Sequence, residues 1–210
     1  MSVTITLRKT TAVATLALVV LVAVITTLAV RNSAGEGSET AGGDGGAKAR
    51  SGAKSFYDLA DSPAPDFSLL DYNGKTVNLS DFQGRKVVLF FNEGLMCYPG
   101  CWNQIAALGQ DERFRGEVVA LSVVVDPRDQ WSQAVAKLPE LAQANVLFDL
   151  DKEVSKAYGV LSLGSSMHPG QLPGHSYVVI DRERVVRFVH DDPRMAIWND
   201  KLVQELAQLP

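Results

Sequence analysis

Lys86-Val87-Val88-Leu89-Phe90-Phe91-Asn92-Glu93-Gly94-Leu95-Met96-Cys97-Tyr98-Pro99-Gly100-Cys101-Trp102 is the stretch that decides the fold of this chain. After Lys86 it opens with five consecutive apolar residues, the pattern of a strand covered on both faces rather than one with a wet side. A loop follows, and then a predicted helix over 100–110. The residue before a proline is pushed out of helical geometry, so Tyr98 is expected to be non-helical and Cys97 to lie in the loop. Cys101 then falls in the first turn of the helix. In open α/β sheets the loops leaving the carboxyl ends of strands are where ligands bind and chemistry occurs.

Reading outward, strands are expected at 67–70 and 75–79 around Asp71-Tyr72-Asn73-Gly74, where Asn-Gly is a strong hairpin signal. Further strands are expected at 118–125 and 146–148, with helices near 130–138 and 152–158. A second hairpin, 176–180 with 185–189, is expected around Asp181-Arg182-Glu183-Arg184, and an amphipathic helix over 196–209 closes the chain. Together these describe a mixed α/β sandwich without internal repeats.

The chain has 210 residues, 46% apolar and 21% charged, as an ordinary globular protein does. A formal charge of −4 with no concentrated basic patch argues against a nucleic-acid partner. From Thr10 to Val30 there are 21 uncharged residues rich in Val, Leu and Ala. As a helix they span roughly 30 Å, the thickness of a bilayer core. A cleaved signal peptide carries a shorter apolar region of about 7–15 residues, which favours an uncleaved transmembrane helix.

Residues 32–54 contain seven glycines and no Val, Ile, Leu, Met or aromatic residue. Such a stretch is read as a flexible tether. The expected organisation is a short N-terminal segment over 1–9, a transmembrane helix over 10–30, a Gly/Ala-rich linker over 31–54 and one folded domain over 55–210. The expected location is a single-pass membrane protein with the domain on the extracytoplasmic side, because large domains translocate largely regardless of their charge.

The chain has two cysteines, Cys97 and Cys101. Four residues apart, they cannot staple distant parts of the domain, and a close pair is more often chemistry than architecture. A thiolate at a helix start is stabilised by the helix dipole and by free backbone N–H groups. Cys101 is therefore the expected nucleophile, with Cys97 closing a disulfide onto it if their Cα atoms approach within about 7 Å. The competing reading is two buried small hydrophobes. Among other residues, Glu93 is read as a solvated loop carboxylate, although a proton acceptor near Cys101 is the alternative. Trp102 and Trp131 are read as packing aromatics, His168 as a reserve site residue and His190 as structural or exposed.

Ala64-Pro65-Asp66-Phe67, the run Val77-Asn78-Leu79-Ser80-Asp81-Phe82-Gln83-Gly84-Arg85, Ala157-Tyr158-Gly159-Val160 and Tyr177-Val178-Val179-Ile180-Asp181 resemble the redoxin group. That group includes the peroxiredoxins of the alkyl hydroperoxide reductase/thiol-specific antioxidant (AhpC/TSA) type. The resemblance covers nearly all of 60–208 and implies a thioredoxin-like fold, a mixed central sheet flanked by helices. It also implies a thiol-dependent oxidoreductase with antioxidant activity and no cofactor. Its substrate would be a peroxide or disulfide, and its reductant a thiol protein similar to thioredoxin.

Pro99-Gly100-Cys101 looks like the Pro-Gly-Cys of the bacterioferritin-comigratory branch. Peroxiredoxins carry P-x-x-x-T-x-x-C and an activating arginine. Counting back from Cys101, Gly94 stands in the place of the proline and Tyr98 in that of the threonine. Six residues before Asp181, which ends the late strand, His175 stands in that of the arginine, so a tyrosine hydroxyl and an imidazole are the groups expected to supply hydrogen bonds. Cys97, Cys101 and His175 also resemble the C-x-x-x-C plus histidine set of Sco-type copper proteins. Val123-Val124-Val125-Asp126-Pro127-Arg128-Asp129 resembles their strand end. That second resemblance implies copper held by Cys97, Cys101 and His175.

Overall fold

A computed structural model of the chain describes residues 55–210. The expected N-terminal segment, transmembrane helix and linker over 1–54 lie outside the described residues. Among the described residues no helix is long and apolar enough to cross a membrane.

Seven strands form one mixed sheet: β1 (Ser68–Asp71), β2 (Thr76–Asn78), β3 (Lys86–Phe91), β4 (Val118–Val124), β5 (Val146–Phe148), β6 (Ser176–Ile180) and β7 (Val186–Asp191). Their spatial order is β2-β1-β5-β4-β3-β6-β7. The strands β3, β4 and β5 run parallel. By contrast β6 pairs antiparallel with β3, β7 with β6, and β1 with both β5 and β2. Among the described residues four α-helices accompany the sheet: α1 (Gly100–Gln110), α2 (Trp131–Lys137), α3 (Glu153–Ala157) and α4 (Asn199–Ala207).

The unbroken apolar run of β3 has its explanation in two cores. Val87, Leu89 and Phe91 point to one face and pack among Phe56, Leu79, Leu121 and Tyr158. Val88 and Phe90 point to the other and pack among Trp102, Ile105, Trp131 and Leu202. Successive side chains of a strand alternate between faces, so a strand that is wholly apolar requires cover on both. Burying each such side chain contributes about 1.5–3 kcal/mol. This makes β3 a rigid floor for the loop that leaves its carboxyl end.

Several element ends differ from expectation, and local hydrogen bonds account for them. The second strand stops at Asn78 because the Asp81 carboxylate accepts its backbone N–H at 2.9 Å, starting the short 3-10 turn Leu79–Phe82. The last helix begins at Asn199 rather than 196. Ahead of it the Asp192 carboxylate accepts the backbone N–H groups of Arg194 and Ala196, holding 192–196 as a turn. The third helix starts where the buried Asp149 carboxylate takes the N–H groups of Val154 and Ser155.

Helix α4 is fastened to α1 by a buried polar set. The Gln104 amide donates to Asn199 Oδ1 at 2.9 Å and accepts the Trp198 N–H at 2.7 Å, while Asn199 donates to the Ala107 carbonyl at 3.0 Å. Because each buried amide finds partners, the set fixes the relation of the two helices without leaving a polar group stranded. The turn between β7 and α4 is thereby held beside the start of α1.

Candidate active site

The first half of the site is the loop from Asn92 to Cys101. After Phe91 the chain turns back through Gly94, whose φ is +60°. Its N–H donates to Asn92 Oδ1 at 2.9 Å, and its carbonyl accepts the Trp102 indole N–H at 3.0 Å. The next amide, Leu95 N–H, donates to Asp126 Oδ2 at 3.0 Å. Burial pushes the Asp126 carboxyl up from its usual range, an effect that the Leu95 hydrogen bond opposes. A Cβ on Gly94 would collide with that carboxylate. Glycine is therefore required here both by backbone conformation and by space.

Cys97 and Cys101 are joined by a disulfide with a Cα–Cα distance of 5.3 Å. Cys101 is the second residue of α1, and its N–H donates to the Cys97 carbonyl at 3.0 Å. The sulfurs are not at the surface: Cys97 is 2% exposed and Cys101 fully buried. Burial alone would suit two packing residues; the disulfide between them and the imidazole and thioether around them set these two apart.

The second half comes from the start of β6. Phe91 pairs with Ser176, which places His175 across from the cysteine loop. His175 is 1% exposed, with Nδ1 3.5 Å from Cys101 Sγ and Nε2 2.9 Å from the Tyr177 hydroxyl. The Phe90 ring meets His175 edge-on at 4.6 Å and stacks with Tyr177 at 4.9 Å. On the other side Met195, in the turn before α4, places its Sδ 3.8 Å from Cys97 Sγ. The donor atoms of Cys97, Cys101 and His175 all lie within 4.8 Å of one another. With the disulfide reduced, two thiolates and an imidazole would make a soft donor set that suits Cu(I).

Burial pushes the His175 imidazole down to about 4, against the opposing pull of the Asp192 carboxylate. The unfolded chain protonates this residue near 6.5 and the folded one only near 4. Between those values the unfolded state binds more protons. The burden is absent above pH 6.5 and grows as pH falls toward 4, to at most about 3 kcal/mol. Urea unfolding of the protein and of His175→Gln from pH 7 to pH 4 is expected to show the stability of the parent falling relative to the variant across that window. A constant difference would contradict this.

Sequence-selected residues divide into those the fold gathers and those it does not. Cys97, Cys101 and His175 are brought together. Tyr98 is 67% exposed, with its ring edge-on to Trp102 at 4.9 Å, whereas His175 is buried. The expectation of a solvated Glu93 is corrected: the residue is 2% exposed. Its carboxylate accepts from Ser166 Oγ and from the backbone N–H groups of Met167 and His168, and pairs with His168 Nδ1 at 3.0 Å. A carboxylate is buried only when such donors surround it, and here they all come from a loop more than 70 positions away in sequence. His168 is therefore a partner of Glu93, not a neighbour of the cysteines. His190 stacks on Trp198 at 3.8 Å, and Trp102 and Trp131 are buried packing residues.

Tyr177 and Met195 were not singled out from the sequence. Tyr177 carried a usable signal, since it lies two residues after His175 and so on the same face of an extended strand. Met195 carried none.

Residues 60–189 match the AhpC/TSA family. The chain is similar to Peroxiredoxin Bcp of Escherichia coli (strain K12), 32% identical over 148 residues that cover 69% of this chain and 93% of that protein. It is also similar to the chloroplastic Peroxiredoxin Q of Suaeda salsa, 34% identical over 135 residues, 62% of this chain and 59% of that one. Among solved structures it resembles Peroxidoxin BcpB from Mycobacterium tuberculosis, with a TM-score of 0.59, 22% identity and coverage of 72% of this chain and 98% of the other. A peroxiredoxin-like protein from Aquifex aeolicus gives a TM-score of 0.60 at 17% identity, covering 73% and 88%. At these identities the structural likeness shows the fold.

Proposed function

Because the chain belongs to the AhpC/TSA family, as a peroxiredoxin-like α/β protein of thioredoxin-like fold, we propose that it reduces peroxides through Cys101, with Cys97 as the resolving thiol. The observation that carries this reading is the Cys97–Cys101 disulfide at the start of α1, set against a buried histidine. In the reduced protein the Cys101 thiolate attacks the distal oxygen of a hydroperoxide. The O–O bond breaks, water or an alcohol leaves, and Cys101 becomes a sulfenic acid. The Cys97 thiol then displaces water from that sulfur and forms the disulfide. A dithiol protein of thioredoxin type returns two electrons and two protons by thiol–disulfide exchange. His175 is the hydrogen-bonding group at the Cys101 sulfur, in the position that the family gives to arginine.

The test uses the reduced full chain and one equivalent of hydrogen peroxide. Each peroxide consumed is expected to remove two free thiols, and a thioredoxin with its reductase should restore them. Thiols that persist in the presence of peroxide would sink the reading.

A second reading is favoured by the clustering of Cys97, Cys101 and His175 donor atoms within 4.8 Å: a copper-binding carrier in which these three residues hold the ion. Titration of the reduced chain with Cu(I) decides it, and binding no tighter than micromolar would remove it. The 21-residue apolar stretch from Thr10 to Val30 supports a membrane anchor with the domain on the extracytoplasmic side. Extraction of membranes with alkaline carbonate is expected to leave the chain in the pellet, and release into the supernatant would exclude an anchor.

A further inference from the structure

Tyr177 lies at the centre of the site although the proposed chemistry does not use it. It is fully buried, its ring lies between Phe90 at 4.9 Å and Trp198 at 5.8 Å, and its hydroxyl has two polar neighbours. One is His175 Nε2 at 2.9 Å and the other is the Ala196 carbonyl oxygen at 3.5 Å. The carbonyl can only accept, and the Tyr177 hydroxyl is placed to donate to it. With the hydroxyl proton directed there, the tyrosine oxygen is an acceptor and His175 carries its proton on Nε2. That leaves the Nδ1 lone pair facing Cys101 Sγ at 3.5 Å. The opposite arrangement would aim an Nδ1–H at a disulfide sulfur, a weak acceptor, and would leave the Ala196 oxygen without this donor.

We infer that Tyr177 is a positioning residue: it fixes the tautomer of His175 so that Nδ1 accepts the proton of reduced Cys101, favouring the dithiol over the disulfide. In the oxidised protein the Cys101 sulfur carries no hydrogen and the chain of hydrogen bonds stops at Nδ1. Reduction breaks the S–S bond and adds two electrons and two protons, one of which completes the series Cys101 S–H to Nδ1, Nε2–H to the tyrosine oxygen, tyrosine O–H to Ala196. Cys101, His175 and Tyr177 are all buried, so an unmade bond costs more here than at the surface. The inference rests on Cys101 being the redox-active thiol but not on peroxide being its oxidant.

The test equilibrates the full chain with dithiothreitol buffers, where two thiols of the reagent exchange for the Cys97–Cys101 disulfide. Tyr177→Phe is expected to shift the equilibrium toward the disulfide by about tenfold, about 30 mV toward more reducing potentials for a two-electron couple. In a His175→Ala background the same substitution is expected to change the equilibrium by less than about twofold. An unchanged potential in Tyr177→Phe, or a shift of the same size without His175, would overturn the inference. Nitrogen-15 NMR of the reduced parent protein supplies a measurement that does not depend on a variant folding. A His175 protonated on Nε2 is the expected state, and one protonated on Nδ1 alone contradicts it. Loss of the peroxidase reading would leave both readouts intact, so the two failures can be told apart.

Discussion

Cys101→Ser is expected to reduce peroxide consumption by the reduced chain on the order of a thousandfold or more, because a hydroxyl at its ordinary pKa is a far weaker nucleophile than a thiolate. The substitution should leave the fold intact. Serine is close in size, and its hydroxyl in this buried position can donate to His175 Nδ1, which lies 3.5 Å from the present sulfur. Cys97→Ser is expected to behave differently. The first peroxide is still consumed, the reaction halts at a sulfenic acid on Cys101, and that acid can be trapped with a dimedone-type reagent. Stopped-flow measurement of one turnover in both variants checks the assignment. Should Cys101→Ser retain the first turnover while Cys97→Ser loses it, the two roles are reversed.

Gly94→Ala is expected to cost about 2–5 kcal/mol of stability, one part from forcing a side chain into a left-handed backbone and the other from overpacking against Asp126. The added methyl group would occupy the place of the Asp126 carboxylate, which holds the Leu95 N–H. Either the loop shifts or the buried carboxylate loses its donor. Gly116 separates the two contributions: its φ is +79°, but nothing lies within 4 Å of an added Cβ. Gly116→Ala should therefore cost only about 1 kcal/mol. Equal losses in urea unfolding of the two variants would show that the Asp126 collision contributes nothing. Because Gly94 stands three residues before Cys97, the same substitution is expected to slow disulfide formation after peroxide addition.

The parts of the site that lie close together in sequence were legible before any coordinates. The apolar run of β3, the helix Gly100–Gln110 and the loop position of Cys97 follow from local rules, and the strand and helix agree residue for residue with the structure. Helix and strand ends were less legible where a side chain intervenes. Asp81 shortens β2 and Asp192 delays α4, and a carboxylate that accepts backbone N–H groups leaves no periodic trace. Glu93 shows the same limit more sharply. A carboxylate in a loop after a strand is usually solvated, and only the approach of Ser166, Met167 and His168 from a distant loop makes its burial stable.

Alternation along strands, helical spacing and the restriction before proline are all local in the chain, and they suffice to put a close cysteine pair between a doubly covered strand and the start of a helix. A family resemblance already groups His175 with that pair, but how distant groups meet it depends on the tertiary structure. Antiparallel pairing of β3 with β6 sets His175 against Cys101, the same face of β6 adds Tyr177 behind it, and the turn before α4 brings Met195 to Cys97. Those contacts join residues 74 and 98 positions apart. They depend on register and helix docking, which are set by packing across the whole sheet rather than by any segment of the chain.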